Sequence, residues 1–186
     1  EGADHIELRH TENFSLGLPV KTSKVLMMLD LPETSEELWK NFKSKLRSQI
    51  RRAEKEGFKV KFGHLDEVEN FYQVFTYKMR DHGTPVYPKR LFENILTEFS
   101  EKARICMVYD GNTPIAAGFI IGFKMLLQIP WAASLRSYDR FGTNMMLYWN
   151  ILKFGCEQGY KQFDFGRSTP NEGTYMFKKQ WGSTPI

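Results

Sequence analysis

A chain of 186 residues can bury one sizeable core, and its 41% hydrophobic and 26% charged residues exclude a disordered or fibrous protein. No apolar run approaches the roughly 20 residues that a membrane span needs. The start, Glu1-Gly2-Ala3-Asp4-His5, lacks the basic and apolar regions of a signal peptide, so the sequence reads as cytoplasmic. A net charge of +4 suits a phosphorylated or nucleic-acid partner without requiring one.

In chain order, His5 to Arg9 and Lys24 to Leu29 read as short strands around a loop with Gly17 and Pro19. Two strands joined this loosely need a sheet to join. Thr34 then starts a helix, with Glu37 three residues on as in a capping box. Leu38, Phe42, Leu46, Ile50 and Ala53 follow at helical spacing, and Gly57 ends the helix. Its other faces carry Lys40, Lys43, Lys45, Arg47, Arg51, Arg52 and Lys55, either a solvated face or a platform for a polyanion.

Phe58 to Phe62 is the next strand, and Asp66 caps a second helix with Val68, Phe71, Tyr72, Phe75 and Met79 as its buried stripe. His82-Gly83 ends that helix, and a turn through Tyr87 leads to Pro88 and a third helix packing Leu91, Phe92, Ile95, Leu96 and Phe99. Strands follow over 104–109, 115–121 and 125–134, the first two joined by the hairpin signal Asp110-Gly111-Asn112-Thr113. Gly118 and Gly122 mark bulges or close backbone approach. A helix from Gly142 to about Gln158 is apolar nearly all round and must be buried, and Tyr160 to Phe165 is the last clear strand. Cys106 and Cys156 have no Cys or His at metal-ligand spacing and read as buried reduced thiols. His5, His10, His64 and His82 form no metal-binding pair, so no metal site is predicted.

The segment after Phe165 is where a ligand site is most naturally built. The strand Phe163-Asp164-Phe165 breaks into a loop dense in Gly, Pro, Asn, Ser and Thr, then into a basic, aromatic tail. Polar and cationic groups just past a strand end can act on a ligand from a rigid support.

From Phe58 the order β, α, α, β, β, β, α, β resembles the fold of the GNAT superfamily of N-acyltransferases. The implied fold class is α/β, with a mixed, mainly antiparallel sheet flanked by helices on both faces. Several blocks narrow the likeness to FemAB-type proteins. Lys45-Leu46-Arg47-Ser48-Gln49-Ile50-Arg51-Arg52-Ala53, followed by Glu56-Gly57, resembles the basic helix that introduces their second acyltransferase-like domain. Ile115-Ala116-Ala117-Gly118, Trp131-Ala132-Ala133-Ser134, Phe163-Asp164-Phe165-Gly166-Arg167-Ser168 and Tyr175-Met176-Phe177-Lys178-Lys179-Gln180-Trp181-Gly182 resemble further blocks. The likeness runs from about Lys24 to the end and is nearest to FemAB-like proteins of exosortase (PEP-CTERM) and exopolysaccharide systems. Such proteins usually hold two domains. The resemblance therefore implies that residues 1–30 are terminal strands of a preceding domain, 31–57 a connecting basic helix and 58–186 the acyltransferase-like domain.

It also implies an activity. FemAB relatives join an activated acyl group, in the best-known cases an aminoacyl-tRNA, to an amine on a peptidoglycan precursor. That chemistry requires alignment of amine and carbonyl and stabilisation of the oxyanion, without a covalent enzyme intermediate. Asp164 is then a candidate to position the amine or take its proton, or else a structural partner of Arg167. Tyr175 is a candidate donor to the acyl carbonyl or a sugar, or a packed core ring. Arg167, Lys178 and Lys179, with Ser168 beside them, are candidates for a clamp on a phosphorylated or nucleotide-linked sugar or peptide substrate, or else Lys178 and Lys179 are solvated. Arg80 and Tyr87 are candidates for an opposite wall, and Trp131, Ser134 and Tyr138, late in the central strand and its loop, are candidates to meet a sugar or a base, with core packing the alternative for Trp131. Acyltransferases of this fold hold the pyrophosphate of coenzyme A on an (Arg/Gln)-x-x-Gly-x-(Gly/Ala) loop at a helix start. Here the place reads Asp139-Arg140-Phe141-Gly142-Thr143-Asn144, with the arginine one residue too close and Asn144 in place of a small residue. Gly142, Thr143 and Asn144 either hold a phosphate or simply cap the helix. The alternatives to an envelope acyl- or aminoacyl-transferase are a non-catalytic module for a nucleotide-sugar or RNA, and a coenzyme A-dependent N-acetyltransferase.

Overall fold

The structure, a computed structural model, describes residues 2, 4–8 and 16–186. Seven strands form one sheet: β1 (Val25–Asp30), β2 (Lys59–Gly63), β3 (Ala103–Asp110), β4 (Thr113–Phe123), β5 (Leu126–Ser134), β6 (Gln162–Ser168) and β7 (Thr184–Pro185). Their order is β2-β3-β4-β5-β6-β1-β7, and the pairing is antiparallel except between β5 and β6. The order of elements from Phe58 is the one expected from hydrophobic periodicity. The mixed, mainly antiparallel sheet with helices on both faces matches the expected fold class.

Val25–Asp30 finds its sheet between β6 and β7, with Met28 opposite Asp164 and Thr184. The earlier expected strand does not form over its described part: residues 5–8 are in no strand, and Ile6 and Leu8 are exposed. Arg9 and His10 lie outside the described residues.

The single helix expected between Thr34 and Gly57 is two, α1 (Ser35–Asn41) and α2 (Ser44–Glu54). Thr34 caps as expected, its hydroxyl accepting from the Glu37 N–H at 3.2 Å. The break falls at Phe42 and Lys43, both extended. It lets Phe42 drop into the core, with its ring 5.7 Å from Trp149 and 5.6 Å from Trp181. Burial of a large aromatic side chain outweighs continuity of a helix whose break leaves only a few backbone groups to water.

One face of the sheet carries α1, α2 and α5 (Thr143–Glu157) on a core that includes Met27, Leu46, Ile50, Leu127, Ile129, Ile151 and Phe163. The other carries α3 (Val68–Asp81) and α4 (Lys89–Glu98) over Phe71, Phe75, Phe92 and Phe119. Asp66 does not cap α3 as predicted. It sits in a 3-10 turn over 65–67 and accepts from the His64 N–H at 2.7 Å, while the buried Glu67 holds the edge together. Lys61 donates to Glu67 at 2.5 Å, Asn70 at 3.1 Å, and Tyr109 donates to it as well. Phe99, predicted to pack, is exposed because α4 ends at Glu98, and Tyr72 and Met79 are only half-buried.

Gly118 in mid-β4 marks close approach, as does Gly122 against Tyr160. A Cβ on Gly118 would lie 2.8 Å from Ile151 Cδ1 and 3.2 Å from Ile129 Cδ1, so the bare backbone is what seats α5 on the sheet. Gly118→Ala is expected to destabilise the fold by about 1–3 kcal/mol through overpacking. Ile151→Val, which removes the clashing methyl, costs about 0.5–1.5 kcal/mol alone. In denaturant titrations the double variant should lose clearly less than the sum of the two. Additive losses would mean that the two side chains do not compete for this space.

Candidate functional site

β5 and β6 run in parallel for three rungs, Leu126↔Gln162, Leu127↔Phe163 and Gln128↔Asp164, and then part. β5 continues along β4 to Ser134, and β6 continues along β1 to Ser168. Two local features force the parting. Pro130, just past the last rung, offers no N–H to a ladder. It lies where β5 sets an extra residue against β4, between the Phe119↔Trp131 and Ile121↔Gln128 pairs. Across the gap β6 sets an extra residue against β1, between Leu26↔Arg167 and Met28↔Asp164, and Gly166 there is left-handed at φ 79°. The result is a fork with the Gln128–Asp164 rung at its base.

Asp164 is 4% exposed. Alternation along the strands sends it and Gln128 to the face opposite Leu127, Ile129, Phe163 and Phe165. Gln128 Nε2 donates to its Oδ2 at 3.0 Å, and the Gly166 N–H donates to Oδ1 at 2.6 Å. Burial pushes this carboxyl above the usual carboxylate range, against the opposing pull of the Gly166 hydrogen bond, the Lys178 charge and Gln128.

Lys178 belongs to α6 (Gly173–Lys179) and is 9% exposed. Its Nζ donates to the carbonyls of Gly166 at 3.1 Å and Arg167 at 3.0 Å. Those carbonyls are available because the bulge turns them out of the ladder. Burial lowers the ammonium to about 8, with Asp164 working against the drop and Lys24 adding slightly to it. Of three N–H donors, two are spent on backbone and the third has no acceptor among the described residues.

The expected cationic clamp divides. Lys178 turns inward, whereas Arg167 turns out to Glu7 at 3.3 Å rather than to Asp164. Lys179 is exposed, its ammonium 5.6 Å from the centre of the buried Tyr175 ring. Ser168, at the end of β6, is buried and its hydroxyl has no partner among the described residues.

On β5 the half-buried Trp131 has Phe92, Phe119 and Tyr87 edge-on at 5.0, 5.5 and 6.0 Å, so its faces are shaped by protein rings. The loop through Tyr87 thus sits over β5 just above the base of the fork. Arg80 rests on the Tyr77 ring at 4.8 Å beside an open cavity of about 580 Å³, lined also by Thr76, Thr84, Pro85 and Val86. Ser134 donates to Asp139 at 3.2 Å and Tyr138 to Asp110 at 3.2 Å, which engages both hydroxyls in holding the turn over 136–141.

That turn delivers α5, whose start is closed from the side of α2. A Cβ on Gly142 would lie 3.3 Å from Ala53 Cβ, and Arg52 donates to the Arg140 carbonyl at 3.5 Å. The Arg140 guanidinium lies over Phe141 at 4.5 Å. Thr143 is fully buried and its hydroxyl has no partner among the described residues; Asn144 is half-buried.

Gln128 was missed in the sequence, where 125–134 read as one uninterrupted strand. The signal was Pro130, which marks where pairing must stop, together with a lone amide in an apolar run.

A family model described as an acetyltransferase (GNAT) domain matches residues 40–179. In structure the chain is similar to FemX, with a TM-score of 0.77 and 16% identity over 87% of this chain and 59% of that one. It is also similar to the C-terminal domain of a putative lysylphosphatidylglycerol synthetase from Agrobacterium fabrum, at TM-score 0.63 and 14% identity over 87% of this chain and 58% of that one. The L-PGS structure from Bacillus licheniformis gives 0.63 and 15%, over 87% of this chain and 57% of that one. The chain therefore spans less than two thirds of the length of these structures, and identities this low speak for the fold alone. No curated protein sequence matches it. With three quarters of its length inside the family match, the chain belongs to the acetyltransferase (GNAT) domain family.

Proposed function

We propose that this chain carries an acyl- or aminoacyl-transfer site that forms an amide bond on a cell-envelope precursor of the peptidoglycan or exopolysaccharide kind. The observation that carries the reading is the pairing of a buried ammonium, Lys178, with a buried carboxyl, Asp164, at the base of the fork. Two neighbouring titratable groups whose proton affinities are shifted in opposite directions are what acid–base chemistry near pH 7 requires. The envelope part of the reading draws on the likeness to FemX and to structures named for lysylphosphatidylglycerol synthesis.

In this scheme the neutral acceptor amine attacks the acyl carbonyl, a C–N bond forms and the carbonyl oxygen becomes an oxyanion. The free N–H of Lys178 faces that charge. Asp164 takes the amine proton and passes it to the leaving oxygen as the bond from the acyl carbon to that oxygen breaks. Tyr175 lines the same helix and fills the space beside the acyl group. Arg167 and Lys179 at the mouth, with the buried Ser168 behind them and Arg80 and Tyr87 across β5, hold the anionic part of a phosphorylated or nucleotide-linked substrate. Trp131, Ser134 and Tyr138 shape the wall between them. An aminoacyl-tRNA donor would lie along the exposed basic residues of α2, including Arg51, Arg52 and Lys55.

Coenzyme A, the donor that the family implies, does not fit the start of α5. The turn is closed by Ala53 and Arg52, Arg140 is committed to Phe141, and Thr143 is sealed from solvent. Gly142, Thr143 and Asn144 serve there as the opening of the helix. Calorimetry with acetyl-CoA should accordingly show no saturable binding; a clear isotherm would restore an ordinary N-acetyltransferase.

The scheme needs Asp164 ionised and Lys178 protonated. Amide formation should rise with pH as Asp164 loses its proton and fall near pH 8 as Lys178 loses its own. Lys178→Met is expected to lower turnover about 10²–10³-fold, the scale of one lost oxyanion donor, and to remove the fall near pH 8. A substrate-free check follows from linkage. An unfolded lysine titrates near 10.4 and this one at about 8, so between those values the unfolded chain binds the extra proton. Wild type should gain stability relative to Lys178→Met as pH rises through that window, and a flat difference would mean that Lys178 is not held in this environment.

A further inference from the structure

The fork has a member that the transfer scheme does not use. We propose that Gln128 is a positioning residue for Asp164, and through the Gly166 turn for Lys178. This rests on the reading of Asp164 and Lys178 as the reacting pair, and adds the element that keeps them in register.

Gln128 and Asp164 are direct partners on the last parallel rung, so backbone pairing itself brings the two side chains together. Beyond this rung the strands separate, and no further ladder bond fixes their spacing. Gln128 Nε2 is a donor, and it is bonded to Oδ2 at 3.0 Å. The other carboxylate oxygen is bonded to the Gly166 N–H at 2.6 Å, which steadies the left-handed turn at that residue. The turn presents the Gly166 and Arg167 carbonyls to Lys178 Nζ at 3.1 and 3.0 Å. The order of dependence is thus amide to carboxylate, carboxylate to turn, turn to ammonium. Each link is a hydrogen bond to or from a charged group, the class that contributes most per bond.

Among the described residues, Gln128 is the side chain hydrogen-bonded to Asp164 across the fork. A hydrophobic residue of the same volume would pack as well but would leave Oδ2 without its donor, which disfavours the ionised form. The groups that face Asp164 are few. From β5 comes Gln128, from α6 the Lys178 ammonium, and from β1 the uncharged Met28 on the paired rung. Lys24, just ahead of β1, acts on Lys178. From α5, Tyr148 stacks on Phe165, and its buried hydroxyl is pushed up to about 12, outside the range that matters.

The test needs no substrate. Carboxyl-carbon NMR, with the Asp164 signal assigned by its loss in Asp164→Asn, would follow the titration of Asp164 in the full chain. In Gln128→Met, which keeps shape and removes the donor, the midpoint should move up by about one pH unit, the scale of a lost hydrogen bond to a charged group. Gln128→Glu should move it further and split it into two steps, because two facing carboxyls then share one proton. Should either variant fail to fold, the wild-type side-chain amide signals of Gln128 must themselves shift with the Asp164 midpoint. An unmoved midpoint in Gln128→Met, or amide signals that stay flat through the titration, would overturn the assignment and leave a space-filling glutamine. Because none of these readouts depends on turnover, they separate this inference from the acyl-transfer reading, which stands or falls on the Lys178→Met assay.

Discussion

The structure turns on the parting of two parallel strands. A parallel pair inside an otherwise antiparallel sheet needs a crossover helix, and α5 supplies it with a nearly all-apolar surface that can only be buried. Once α5 is seated on Gly118, β5 and β6 are neighbours at their starts but have different partners at their ends. β5 is committed to β4 by six further residues, and β6 to β1. The fork between them is therefore a consequence of pairing preferences and not of a loop placed over a surface. Pro130 and Gly166 set where the parting begins, one by lacking a donor and the other by adopting a conformation that other residues resist.

This origin explains the polarity of the site. A buried strand normally satisfies its N–H and C=O groups laterally. Where β6 bulges, its Gly166 N–H and the next two carbonyls have no strand to meet, so side chains take them instead: Asp164 for the donor, Lys178 for the acceptors. Both ionisable groups are thus tied to backbone that the bulge set free. The same rule accounts for Ser134 and Tyr138, which are spent on Asp139 and Asp110 to hold the turn into α5.

Much of the fold was legible because its signals are periodic. The 3.6-residue stripes of α3 and α4, the alternation in β2 and the Asp110–Thr113 hairpin each have one physical solution. The errors fell where burial of one side chain overrode local continuity, as when Phe42 broke a helix to reach Trp149 and Trp181. Another came where a polar residue found a better partner than the one its spacing offered, as Asp66 did with the His64 N–H. Asp164 and Lys178 were legible as ionisable residues at and after a strand end. Their relation was not, since it depends on which way a bulge turns two carbonyls. Arg167 illustrates the limit: one residue from Gly166 on the same strand, it points outward to Glu7, and no periodicity distinguishes it from Lys178.

Lys178 also bears on why this arrangement persists in a fold that does not need it for packing. Lowering an ammonium from 10.5 to about 8 corresponds to a free-energy cost on the order of 3 kcal/mol for keeping it charged at neutral pH. A large fraction of a domain's net stability is of that size. This is what is left after the Asp164 charge has offset part of the desolvation, and a methionine at the same place would fill the volume with no charge to desolvate. A helix of seven residues, α6, with Tyr175 and the nearby Trp181 already anchored in the core, has no evident need of a buried cation to hold it on the sheet. The local rule against burying lysine is broken at the fork, beside a carboxyl displaced in the opposite direction. A stability cost of this kind is expected where a charge meets a substrate, which is the physical reason for proposing the reaction at the fork rather than at the more exposed cations around it.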